Sequence, residues 1–185
     1  NIIRYKLEPE VYSLDFLRRF AAFINDEKLT DFPVHLKLDT GMHRQGILPH
    51  EINELIALLK KYNSLRVQSI FSHLAASDEM QHDAFTLEQI SAFNELSTRI
   101  MTELKIDPIR HILNSAGIER FSGHQFDMVR LGIGLYGISS VADDALLPVS
   151  RLKTFISQIK TIPKGQTIGY GRKGSVDREK SIAIL

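Results

Sequence analysis

The sequence predicts an α/β fold: a parallel sheet with crossover helices, open or closed into a barrel, followed by the opening of a mostly β domain. Apolar strand-like runs alternate with amphipathic helical stretches as far as residue 138, the order a parallel sheet requires. Polar residues recur where four successive strands run out into loops, which is where a β/α barrel keeps its chemistry. After residue 150 no helical period remains, and short strand-like stretches alternate with Gly- and Pro-containing turns.

Residues 9–26 (PEVYSLDFLRRFAAFIND) read as a helix, with Val11, Leu14, Leu17 and Ala21 at helical spacing. Asp31-Phe32-Pro33 is the break before a strand at 34–38 (VHLKL). Residues 49–62 form a second amphipathic helix, with Pro49 in its first turn. A strand at 66–72 (RVQSIFS) and a helix at 85–104 follow. HILN at 111–114 is a short strand, SAGIERF gives one or two helical turns, and 126–138 (FDMVRLGIGLYGI) is a strand entering a Gly-rich loop. The domain boundary falls in the loop at 139–149, between a barrel portion at 1–140 and the start of a β domain at 150–185.

Composition excludes several classes. The chain has 185 residues, 43% hydrophobic and 24% charged, with a net charge of +1. Charges of both signs are interspersed, so no basic field points to nucleic acid or an anionic membrane. With no cysteine, a disulfide framework, a Cys-based zinc site and a thiol nucleophile are ruled out. No apolar run approaches a membrane span and no signal peptide opens the chain. The start at Asn1 in an apolar NII and the end in SIAIL lead us to expect a piece of a longer protein.

Four strand ends carry the candidate site: Lys37 to Arg44, Ser72-His73, Asn114-Ser115, and Arg130 to Ile133. A lysine in a strand facing a barrel interior must be paired, neutralised or modified. Asp39 lies two residues on, on the same face, and is the expected partner. Gly132 and Gly134 flank Ile133 and form either a tight turn or a cradle of backbone N–H groups for a phosphate. The loop matches neither a P-loop nor a dinucleotide fingerprint. Tyr170, in IGYGRKG, is uncrowded by its glycines. A phenol acting as a base near neutrality needs a cationic neighbour.

Taken together the motifs resemble alanine racemase, a pyridoxal 5'-phosphate (PLP) enzyme family of fold type III. HLKLDTGMHRQG resembles the family's strand and loop, FSHLAASDE its next strand end, NSAGIERF and FDMVRLGIGLYGI its following segments, and IGYGRKG the turn bearing its catalytic tyrosine. The motifs occur in the family's order over residues 34–174. His43, Gln45 and Ser72 depart from its common pattern.

The resemblance implies part of a TIM-type (β/α)8 barrel followed by the start of a mostly β domain, in a cytoplasmic head-to-tail homodimer that makes D-alanine from L-alanine for the cell wall. It implies that Arg130 meets the PLP ring nitrogen and that His73 lies against the ring. Ser115, Gly132 and Ile133 hold the phosphate. Arg44 reaches cofactor and substrate carboxylate, and Lys37 is carbamylated to orient Arg44. Tyr170 serves as one of two catalytic bases, in the partner's site. The other base, the Schiff-base lysine, belongs to a strand outside these residues, so the 185 residues alone are expected to be inactive. Competing expectations are another PLP amino-acid racemase, a fold type III decarboxylase, or a non-catalytic PLP-binding domain.

Overall fold

Ser13 starts the first helix, its hydroxyl accepting the Phe16 backbone N–H at 3.2 Å with Asp15 in the first turn. In the computed structural model, which describes residues 1–139, 141 and 146–185, α1 therefore spans Leu14–Asp26. The helix expected from residue 9 is corrected. Glu10–Val11 instead form strand β1, paired in parallel with His35 and Leu36. Val11 matches the helical period, but the serine cap sets the boundary.

The elements that follow are β2 (Phe32–Lys37), α2 (Ile52–Lys61), β3 (Leu65–Phe71), α3 (Asp83–Leu104), β4 (Ile109–His111) and α4 (Ser115–Arg120). The sheet runs β1-β2-β3-β4, with every pair parallel. A doubly wound sheet reverses its strand order at a switch point; a barrel wall does not, and here the order stays sequential. Outside the sheet, α1 packs on α2 and α2 on α3.

The core lies between sheet and helices. Val34, Leu36 and Ile70 from the strands bury against Leu17 and Ile24 of α1, Ile52 and Leu55 of α2, and Phe93 and Ile100 of α3. Alternation sends the intervening residues to the other face. Between Val34 and His35 of β2, β3 carries one extra residue: Val34 pairs with Val67 but His35 pairs with Ser69. This bulge at Gln68 re-aims the strand and sets Ser69 beside His35 on the barrel-facing side.

The strand expected to open residues 126–138 is not formed. Two backbone bonds tie the segment to β4 and its exit, Asp127 N–H to Arg110 C=O at 3.1 Å and Arg130 N–H to Leu113 C=O at 3.0 Å. The Arg110 N–H, however, is captured by the Asp127 side chain at 2.8 Å. A carboxylate thus takes the place of a ladder carbonyl.

The chain divides into two compact units, 1–149 and 150–185. The boundary loop expected at 139–149 falls partly on residues 140 and 142–145, outside the described residues. In the second unit, β5 (Gln158–Ile162) pairs antiparallel with β8 (Lys180–Ile184), and β6 (Thr167–Ile168) with β7 (Gly174–Ser175).

Candidate active site

The exits of β2, β3 and β4 bring most of the expected residues of the first unit together. Lys37, the last residue of β2, is 8% exposed. Its Nζ lies 3.2 Å from Glu10 Oε1 and 5.6 Å from the centre of the Phe71 ring. The expected Lys37–Asp39 pair is not made. Asp39 is buried and Oδ1 accepts the backbone N–H groups of Gly41 and His43, each at 3.0 Å. Asp39 thereby shapes the loop that carries Arg44, which is exposed. The loop closes where the Asp39 N–H meets Ile47 C=O at 2.9 Å.

Arg130 is the hub. Its Nη1 donates to His111 Nδ1, and its Nη2 donates to the carbonyls of Ser72 at 2.6 Å and Ile112 at 3.4 Å. The guanidinium lies 5.2 Å from the centre of the Phe71 ring, and Phe71 in turn stacks on His111 at 5.0 Å. Burial pushes the Arg130 guanidinium below its usual range, while the Glu10 carboxylate pulls it back up.

His73 is half-buried, with Nδ1 3.4 Å from Arg130 Nη2. Burial lowers its pKa, and the charges of Arg130, Arg44 and Lys37 lower it further. His111 is 5% exposed; burial, then Arg130 and His35, push its pKa down to about 4. Both rings are therefore neutral near pH 7 and able to accept a hydrogen bond.

Ser115 opens α4 and binds the Gly-rich loop. Its Oγ accepts from the backbone N–H groups of Gly132 at 2.9 Å and Gly134 at 3.0 Å. Ser115 and Gly132, with His73, Asn114 and Ile133, line a pocket of about 270 Å³. Arg120, pinned to Ser77 C=O at 2.7 Å and Asp83 at 2.6 Å, braces its floor, since Ser77 Oγ bonds Asn114 Oδ1 at 2.8 Å. Tyr170 belongs to the second unit, fully exposed between Gly169 at φ 78° and Gly171 at φ 66°.

A sequence model described as "Alanine racemase, N-terminal domain" matches residues 1–140. The chain belongs to the alanine racemase family. The alanine racemase of Sorangium cellulosum (strain So ce56) is 36% identical over 187 residues, covering all of this chain and 49% of that protein. The chain spans about half the length of the curated relatives it matches. The crystal structure of alanine racemase from D-cycloserine producing Streptomyces lavendulae superposes with a TM-score of 0.83 at 27% identity, over 98% of this chain and 50% of that one. The Bartonella henselae enzyme, with covalently bound pyridoxal phosphate, shares the fold at a TM-score of 0.76 and 24% identity, over 98% of this chain and 49% of that one. The four-stranded parallel sheet is thus part of a TIM-type barrel.

Within this alanine racemase barrel wall, three contributors were missed in the sequence: His111, Glu10 and Phe71. His111 precedes the polar strand end that drew attention, and Glu10 was read as helix. Phe71 looks like any core aromatic until its ring is found between Lys37 and His111.

Proposed function

We propose that the full-length protein racemises L-alanine and D-alanine with PLP, in the cytoplasm, supplying D-alanine for peptidoglycan. Residues 1–140 form the later part of the PLP barrel and 150–185 the start of the C-terminal β domain. The observation that carries this reading is Arg130, a guanidinium fixed by His111, Ser72 and Ile112 beside His73 and the Ser115–Gly132–Ile133 pocket. That donor set fits PLP: a permanent cationic donor for the ring nitrogen, a neutral imidazole beside the ring, and a hydroxyl with backbone N–H groups for the phosphate.

When bound, PLP acts as an electron sink that acidifies the substrate Cα–H. Arg130 would hold the ring nitrogen by donating to it while keeping its own proton, which would restrain the sink. Ser115, whose Oγ accepts the Gly132 and Gly134 N–H groups, would hold the phosphate with its hydroxyl proton. Arg44, on its loop, takes the substrate carboxylate. Lys37 is the carbamylation candidate; the modified side chain becomes an anion, so Glu10 at 3.2 Å must then move or take a proton.

Racemisation removes a proton from one face of Cα and returns one to the other, so two acid/base groups are required. Tyr170 is the base on one face, acting in the partner's site of a homodimer; its full exposure in this chain supports that role. The second base is the lysine that holds the cofactor, outside these 185 residues, which on their own do not racemise. The test is Cα–H exchange in D2O by the full-length protein carrying Tyr170→Phe. One enantiomer of alanine loses exchange while the other retains it. Equal exchange of both, at wild-type rates, removes Tyr170 from the mechanism.

A further inference from the structure

Five side chains form one unbroken hydrogen-bond chain across the barrel-facing side of the sheet. Arg130 Nη1 meets His111 Nδ1. His111 Nε2 lies 3.2 Å from Ser69 Oγ, Ser69 Oγ lies 2.6 Å from His35 Nδ1, and His35 Nε2 lies 3.0 Å from Glu8 Oε2. The β3 bulge makes this possible, because it places Ser69 opposite His35 in register.

The donors and acceptors fix a direction. Arg130 can only donate, so His111 Nδ1 accepts and its proton sits on Nε2. That N–H points to Ser69 Oγ, whose own proton goes to His35 Nδ1. His35 then carries its proton on Nε2 and donates to Glu8. If His35 were instead an imidazolium paired to Glu8, both rings would donate N–H groups to Ser69 Oγ, and the buried hydroxyl would have no acceptor among its described partners. Each acceptor in a directed chain is strengthened by the next, and this one terminates on a carboxylate. Lys37 and Glu10 flank it as a separate pair, and His73 lies at the Arg130 end.

We propose that Glu8, His35 and Ser69 are positioning residues, joined through His111 into a one-way relay that orients the Arg130 guanidinium for its ligand. The relay rests on the proposed function only in naming that ligand as the PLP ring.

Neutron diffraction from D2O-exchanged crystals of the full-length protein reads the relay directly. The expected result is a deuteron on Nε2 alone in both His35 and His111, and a Ser69 deuteron directed at His35. Deuterons on both nitrogens of His35, or on Nδ1 of His111, overturn it. The functional arm compares Ser69→Ala with Ser69→Thr, which keeps the hydroxyl. With bound PLP, Ser69→Ala should lower kcat about fivefold, the factor one neutral hydrogen bond is worth, leave KM unchanged and shift the pH titration of the cofactor absorbance. Ser69→Thr should restore both. Ser69→Ala matching wild type in kcat and in the titration contradicts the relay. If the protein neither binds PLP nor racemises alanine, the proposed function fails, and the deuteron positions still decide the relay.

Discussion

Lys37 Nζ lies 3.2 Å from Glu10 Oε1 on the neighbouring parallel strand, while Asp39, two residues on and past the end of β2, is spent on loop N–H groups. A carbamate on Lys37 would be an anion, and the Glu10 carboxylate beside it would repel that charge. Glu10→Gln should therefore raise carbamate occupancy at Lys37. A carbamate signal from 13C-bicarbonate, absent in Lys37→Arg, measures it; equal or lower occupancy in Glu10→Gln contradicts this view of the pair.

Acid should weaken the fold through His111. Its pKa lies at about 4 in the folded state against ~6.5 for a free histidine. The unfolded chain binds a proton that the folded chain refuses between those values. Stability is thus full above ~6.5, falls as the pH drops toward ~4, and then stops changing from this source; the loss is on the order of 3 kcal/mol. Urea unfolding across this range should show the slope, and His111→Gln should flatten it.

Gly46 closes the Arg44 loop. Its φ is +137°, and a Cβ there would come within 2.7 Å of the Asp39 backbone N and 2.8 Å of the Leu38 carbonyl carbon. Neither can step aside. Gly46→Ala should cost about 2 kcal/mol in urea unfolding, whereas Gly123→Ala, with nothing within 4 Å, should be nearly neutral.

Arg120 is a brace beside the pocket lined by Asn114, Ser115 and Gly132. Arg120→Ala removes charged donors from Ser77 C=O and Asp83, at about 2 kcal/mol for a bond of this kind. The expected readout is weaker PLP binding by the full-length protein as well as a lower unfolding midpoint. Unchanged PLP affinity would leave Arg120 a stability residue alone.

Periodicity revealed the helices and the parallel order, because buried faces repeat at 3.6 or 2 residues whatever the tertiary context. It failed where a single side chain overrode it: the Ser13 cap moved the start of α1, and Asp127 took a ladder position from the strand expected to open 126–138. The positions of Arg130, His73 and Ser115 were legible, since polar groups there interrupt apolar runs. His35 and Ser69 were not. A polar residue facing a barrel interior alternates just as one facing water does, and the Gln68 bulge that pairs Ser69 with His35 leaves no mark in the text. Lys37 stood out as a charge in an apolar strand, but its ion-pair partner lies one strand away rather than two residues on.

The most direct test of the central proposal is to incubate the purified full-length protein with L-alanine, with and without PLP, and separate the enantiomers by chiral chromatography. The expected result is D-alanine rising to equal the L-form, only when PLP is present. PLP bound with no D-alanine formed, or D-alanine formed just as fast after PLP is stripped away, would contradict it.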